Sequence, residues 1–433
     1  SLVGSEMCIR DSGWGEGVRL EKYLLDHFMV RGINHFVPHA FSAKEYPDPD
    51  CPPHFYAHGN HPQYRHFGAL MAYSNRVLEL LNGGVHIAPA AVLYHGESEW
   101  MGDAMASDVV GHQLYDHQID YDYIPQDVFL PENAYDMEIT YDAERVEGSF
   151  RVNTQNYRVL IVPKLQFITP HMKAALKQLQ AAHFPVYFVD GLPEGVEGEV
   201  VPLSELAERL RKSGISEITI TPENNRIRYY HYEHVDGSAV YMFVNEGNSI
   251  YEGTVEMPES RACYAYGAWE NTIQDAEAVR DETTGITKVS LVLEPLKSYL
   301  LVFESREKAE AILKEKTTPI SGEGVEIPFI GTWQRSICRS IEYPHFKAKK
   351  EVTIPDRLHE EEPEFSGFVR YENRFEGEEA ATYILEISDA YEGVEVFLNG
   401  KSLGIQIVPS YRYELSSYVK DGENEIAIEV ATT

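Results

Sequence analysis

The sequence predicts a multidomain protein that combines α/β regions with all-β regions, and three observations carry that class. Apolar strand-like runs alternate with amphipathic helices up to about residue 213, while helices nearly vanish beyond residue 214. The length, 433 residues, calls for several domains at about 100–200 residues each. The hydrophobic share of 43% and charged share of 24% are ordinary for globular chains and exclude disorder, collagen or coiled coil as overall descriptions. A formal net charge of −32 repels phosphate backbones, so no nucleic-acid partner is expected. No apolar run reaches the length of a membrane helix, so no membrane partner is expected either. Cys8, Cys51, Cys263 and Cys338 lie far apart with no CxxC pair, which suits neither a disulfide framework nor a zinc knuckle.

Residues 1–12, SLVGSEMCIRDS, resemble translated adapter read-through and are set aside like a fusion scar; the alternative is a short natural tail. From Gly13, residues 19–31 have helical spacing that stops at Gly32, and INHFVPHAFS follows as a β-rich run. A Pro- and His-rich loop leads to a second amphipathic helix through Phe67, Leu70, Met71, Val77, Leu78 and Leu81, closed by Asn82-Gly83-Gly84. Helix, strand, loop and helix in this order predict the last one and a half turns of a (β/α)8 barrel over 13–85, with 33–41 as its eighth strand. A lone strand would leave the apolar faces of those helices uncovered.

The stretch 86–213 predicts a doubly wound α/β domain. Its strands are expected at 90–94, 121–128, 158–168 and 185–191, with helices at 107–118, from Pro170 behind the cap Thr169 to about Ala182, and over 204–212. From 214 to 305 a β-sandwich is expected: a hairpin turns at Asp236-Gly237, and further strands lie at 249–257, 262–268, 287–294 and 298–304. Residues 306–325 hold a short helix and a connector. Over 326–433 the pairs Val369/Tyr371/Phe375, Tyr383/Leu385/Ile387, Val394/Val396/Leu398, Tyr411/Tyr413/Leu415 and Ile426/Ile428/Val430 alternate, with tight turns at Asn399-Gly400 and Asp421-Gly422. That predicts a second sandwich of jelly-roll type.

The α/β region has no GxGxxG after a strand, no cysteine and no GxSxG, which excludes a dinucleotide turn, a thiol nucleophile and a hydrolase elbow. His95, Glu97, Glu99 and Trp100 sit just past the first strand, where α/β sheets present ligand groups; the alternative is a solvated loop. The histidines His35, His39, His54, His58, His61 and His66 lack metal-ligand spacing, so no metal and no cofactor is expected, and they serve sugar hydroxyls or loop packing. The run Gly13-Trp14-Gly15-Glu16-Gly17 offers an indole for a sugar face and a carboxylate, or else a glycine-rich turn. The substrate-lining candidates are Trp14, Glu16, His39, Phe41, His54, Tyr56, His95 and Glu97, with Glu16 the candidate for a catalytic role.

GWGEGVRLEKYLLDHFMVRGINHFVPHAFS resembles the end of the catalytic barrel in large glycoside hydrolases, above all the family 106 α-L-rhamnosidase group, through Gly32-Ile33-Asn34 and His39-Ala40-Phe41. PAAVLYHGESEW is similar to the flavodoxin-like domain that follows such barrels, there and in family 42 β-galactosidases. GFVRYENRF, VEVFLNGKSLG and DGENEIAIEV resemble the galactose-binding-like, family 2 sugar-binding sandwich. The resemblance implies a carbohydrate substrate and a fragment of a glycoside hydrolase that cleaves a terminal sugar, rhamnose or galactose. It also implies that both catalytic carboxylates belong to barrel strands before Gly13, so that this chain alone is inactive. The rival expectations are a non-catalytic carbohydrate-binding protein and a purely structural terminal sandwich.

Overall fold

The computed structural model describes residues 17–37, 44–45, 56–130, 132, 135–142, 144, 147–317 and 324–432. Many strands in several sheets are combined with few helices. The described residues divide into two units: one gathers those of 1–28, 33–79 and 318–433, the other those of 29–32 and 80–317.

In the first unit, helix α1 (Val18–Met29) ends at Gly32, whose φ of +83° suits glycine, with the Ile33 N–H returning to the Phe28 carbonyl at 3.1 Å. Residues 33–37 form no strand, so the start of the expected eighth strand is irregular; residues 38–41 lie outside the described set. Helix α2 (Tyr64–Leu80) buries Phe67, Leu70, Tyr73 and Val77, so its apolar face is covered, while on α1 Leu20 is exposed and Leu24 and Phe28 are half-buried. Lys22 on α1 donates to Asp26 one turn later at 2.6 Å, and the Tyr73 hydroxyl donates to the other Asp26 oxygen at 2.6 Å. Burial pushes the Asp26 carboxyl up, and the Lys22 ammonium pulls it back.

The rest of this unit is β structure. Strands β19 (Trp333–Arg339), β20 (Lys350–Val352), β21 (Gly367–Gly377), β23 (Gly393–Leu398), β24 (Lys401–Gln406) and β26 (Gly422–Ala431) form one sheet in the order β20-β19-β21-β26-β23-β24. Strands β22 (Ile384–Ile387) and β25 (Tyr411–Glu414) pair separately. Phe375, Val396, Leu398, Tyr411, Tyr413 and Ile426 meet in the core. Asn399 and Gly400 have φ of 51° and 80°, the left-handed pair that a two-residue hairpin demands. The opposite face is covered near the start of β21, where Phe368 packs with Cys338 and Ala431, while from Asn373 onward the strand alternates, with Arg374 and Glu376 exposed. Arg65 on α2 donates to Glu395 and to the Tyr343 hydroxyl, each at 2.7 Å. Gly393 is required nearby, because a Cβ there would stand 1.9 Å from His66 Nδ1.

The second unit opens with β1 (Gly84–His86) and a five-stranded parallel sheet. Its strands are β2 (Ala90–Tyr94), β3 (Tyr121–Pro125), β7 (Val159–Val162), β8 (Val186–Val189) and β9 (Glu199–Val201), in the order β3-β2-β7-β8-β9. Helices α3 (Gly96–Met101) and α4 (Ser107–Tyr115) connect β2 to β3, α5 (Pro170–Ala181) connects β7 to β8, and α6 (Leu206–Lys212) follows β9. The connection from β3 to β7 is an antiparallel meander of β4 (Met137–Asp142), β5 (Glu147–Val152) and β6 (Gln155–Tyr157), which the sequence reading did not foresee. One face of the sheet packs on Val110, Leu114, Leu206 and Leu210. The other packs on Met172, Leu176 and Leu179 of α5 together with Phe150 and Val152 of the meander.

Two antiparallel sheets complete this unit. Strands β11 (Ile227–His234), β12 (Ala239–Asn245), β14 (Ala262–Gly267), β15 (Thr272–Gln274) and β18 (Ser298–Glu304) join β1 in the order β1-β11-β12-β18-β14-β15. The second sheet has the order β10-β13-β17-β16, from β10 (Thr219–Thr221), β13 (Tyr251–Met257), β16 (Val279–Asp281) and β17 (Ile286–Leu293). Tyr229, Tyr241, Phe243, Val255, Leu291 and Phe303 fill the space between them.

At the end of β1, His86 is held between two carboxylates: Nε2 lies 2.8 Å from Asp120 and Nδ1 3.2 Å from Asp122. Its ring stacks on Tyr230 with centroids 4.4 Å apart. The Tyr157 hydroxyl donates to the other Asp122 oxygen at 2.9 Å, and the Tyr121 N–H to Asp120 at 2.8 Å. Burial alone would lower the imidazole; the Asp120 charge and the hydrogen bonds to both aspartates reverse this and raise it to about 10. Burial pushes the Asp120 carboxyl up as well; with a carboxylate facing each ring nitrogen, the shared proton is best placed on the imidazole.

Candidate functional site

The carboxyl ends of β2, β3 and β7 form the region to which the sequence pointed with His95 and Glu97. His95 follows β2 and is fully buried; its Nε2 lies 2.7 Å from the Met105 carbonyl and its Nδ1 3.3 Å from the Leu93 carbonyl. At least one ring N–H thus serves a backbone carbonyl, with Glu99 Oε1 3.5 Å from Nε2, and the buried His95 is neither in a solvated loop nor presented to a ligand. Glu97, on α3, is half-buried and accepts from Gln126 Nε2 at 3.1 Å. The fully buried Gln126 amide also reaches Ser98 Oγ at 3.2 Å, and its oxygen accepts from Thr169 Oγ1 at 2.6 Å. The Thr169 hydroxyl also lies 3.2 Å from His171 Nε2 and makes no capping bond to α5. Three positions after Glu97, Trp100 is 90% exposed.

A carboxylate in a fixed amide network beside an open indole can accept hydrogen bonds from hydroxyls and stack on an apolar ring face. Gln126 is the member that sequence reasoning missed; the 121–128 run read as strand, but the ladder ends at Pro125 and Gln126–Phe129 turns as a 3₁₀ segment. Replacing Gln126 with Leu removes the acceptor of Thr169 and the donor to Glu97. It should cost about 1–3 kcal/mol, read as a lower urea midpoint; an unchanged midpoint would show that the network is not structural.

Of the other candidates, Trp14, Glu16, His39, Phe41 and His54 lie outside the described residues. Tyr56 is described: it is exposed, and its ring lies 5.0 Å from that of Tyr64.

The sequence reading also missed a cleft of about 520 Å³ in the C-terminal sandwich, lined by Thr332, Lys350, Val352, Asp356, Glu360 and Glu361. Beside it lies Arg335, 5% exposed, which donates to both Asp356 oxygens at 3.0 and 2.9 Å and to Glu361 at 2.6 Å. Tyr371 adds its hydroxyl to Asp356 at 2.9 Å and Lys350 its ammonium to Glu361 at 2.8 Å. The hydrogen bonds from Lys350 and Arg335 hold the Glu361 carboxyl below the usual carboxylate range. The signal was present in WQRSICR: an arginine within a strand buried on both sides needs a carboxylate partner. Among the described residues, His231, Glu233 and Glu259 also bring ligand atoms within 4.8 Å of one another.

No protein-family model matches this chain, and no curated protein matches it. Among solved structures, a rhamnosidase from Novosphingobium sp. PP1Y is similar with a TM-score of 0.70 and 15% identity, over 98% of this chain and 43% of that one. The two share a fold. The chain spans less than half the length of that rhamnosidase. An α-L-fucosidase isoenzyme 2 from Paenibacillus thiaminolyticus matches 56% of this chain and 51% of its own at 9% identity and a TM-score of 0.36. An exo-carrageenase from Bacteroides ovatus matches 56% and 32% at 12% identity and 0.33.

Proposed function

We propose that this chain is the accessory portion of a glycoside hydrolase that releases a terminal sugar, an α-L-rhamnoside or galactoside, from an oligo- or polysaccharide. The observation that carries the reading is the fold shared over 98% of the chain with 43% of a rhamnosidase. The strand order β3-β2-β7-β8-β9 supports a flavodoxin-like domain, and the terminal sheets support a galactose-binding-like jelly roll. In this reading residues 13–85 are the end of a catalytic barrel, and Trp14, Glu16, His39, Phe41, His54 and Tyr56 line the edge of the substrate site. Hydrolysis needs one carboxylic acid to protonate the leaving oxygen and a second carboxylate to attack or to activate water. Both belong to barrel strands outside this sequence.

The test is an assay of the chain with aryl α-L-rhamnoside and aryl β-galactoside, expected to give no turnover above buffer. Turnover that vanishes in Glu16→Gln would overturn the accessory reading and make Glu16 the catalyst. The polar cleft beside Arg335 favours a second reading, a carbohydrate-binding module. Retardation of the chain in gels containing rhamnose- or galactose-rich polysaccharide, lost on Lys350→Ala, would support that reading.

A further inference from the structure

We propose that His231, Glu233 and Glu259 form a site for one divalent metal ion of the zinc type, with Glu217 as the positioning residue for the imidazole. This lies beyond the sugar chemistry and does not depend on it. His231 and Glu233 are two residues apart on β11, so both point to the face on which Ile227 and Tyr229 join the sandwich core. Glu259 arrives from the connection between β13 and β14. Ligand atoms of the three lie within 4.8 Å of one another. Tetrahedral zinc holds nitrogen and oxygen ligands at about 2.0–2.2 Å, which puts them roughly 3.4 Å apart, so a small side-chain rotation closes the set.

Two further observations point to a cation. The His231 side chain is only 4% exposed, and its Nδ1 lies 2.5 Å from Glu217 Oε1. Nε2 is buried and has no hydrogen-bond partner. A carboxylate on Nδ1–H fixes the tautomer that leaves the lone pair on Nε2, as in carboxylate–histidine–zinc arrangements. Glu217 is itself oriented by the Tyr229 hydroxyl at 3.2 Å, and Tyr241 stacks on the imidazole with centroids 3.9 Å apart.

The second observation is charge. Glu233 and Glu259 share one guanidinium, Arg261, which donates to both Glu259 oxygens, to one of them at 2.8 Å, and to Glu233 at 3.2 Å, while Glu217 faces the imidazole. Three carboxylates and one guanidinium leave a formal −2 around the imidazole, which one divalent ion neutralises. Arg261 pre-orients both carboxylates without exhausting them, since each carboxylate offers about four lone-pair sites. Imidazole with two carboxylates suits zinc better than calcium, which takes six to eight oxygens.

The test is titration of the chelator-stripped chain with Zn²⁺ in competition with a chromogenic chelator, together with the visible absorption of a Co²⁺ derivative. One tight equivalent is expected in the wild type and none in His231→Gln. Glu217→Gln should weaken the site by roughly 10–100-fold. Glu233 is 43% exposed, so Glu233→Gln keeps the fold and should weaken binding at least tenfold. The chain has 17 histidines, so the variants provide the discrimination. Absence of a tight equivalent in the wild type, or one that survives unchanged in Glu233→Gln and His231→Gln, overturns the proposal.

Discussion

Asp120→Asn is expected to destabilise the chain by about 3–5 kcal/mol, because it leaves a buried imidazolium with one of its two carboxylates. His86 is 16% and Asp120 2% exposed, so water replaces little of what is lost. The same cluster sets a pH dependence. The folded-state value of His86, about 10, lies above its ordinary 6.5, so the proton is bound more tightly in the folded chain. The stabilisation is complete below about pH 6.5 and is lost as pH rises through about 10. Urea midpoints at pH 6, 8 and 10 should fall steadily in the wild type and fall less in Asp120→Asn. Parallel curves would mean that His86 is neutral in the folded chain and that the cluster is only a hydrogen-bond network.

The second large effect is expected at Arg335. In Arg335→Met the Asp356 carboxylate, 9% exposed, keeps only Tyr371 and the Arg357 N–H among its contacts. The loss should be about 3–5 kcal/mol. Replacing both partners, Arg335→Met with Asp356→Leu, should recover much of it, since an apolar pair of similar volume removes the uncompensated charge. Thermal unfolding of the single and double variants separates the outcomes: a double variant no better than the single would show that the cost is packing around the arginine stem.

The features legible in the sequence were those whose signal is local. Gly32 ended its helix, Asn399-Gly400 made its hairpin, and strands in the sandwiches fell close to their alternating runs because one face of each is apolar. Strand ends in the α/β part were read too long, since an apolar run does not reveal where the ladder stops: 158–168 ends at Val162, just before Pro163, which has no N–H to give. The meander was missed because β4 is mostly exposed, with only Met137 and Ile139 turned toward the core. The sites were harder still. His95 looked like a presented ligand and is a buried histidine bonded to a backbone carbonyl. His86 meets its aspartates 34 and 36 residues away, and Arg335 meets Asp356 and Glu361 at 21 and 26. Such pairings are set by tertiary packing, and no periodicity within one segment encodes them.

The first unit is discontinuous: its two long helices end by residue 80 and its sheets follow residue 330. This dictates an order of events during synthesis. Arg65 finds Glu395 across 330 residues, and Arg19 finds Tyr411 across 392. A ribosome adding about 5–20 residues per second needs roughly 16–80 s to make such a stretch. Throughout that interval Arg65 and Arg19 wait for these partners, while the nearly continuous second unit folds from residues 80–317. The nascent chain thus makes both arginines early and pairs them last, so that closure of the first unit is the final event of its synthesis.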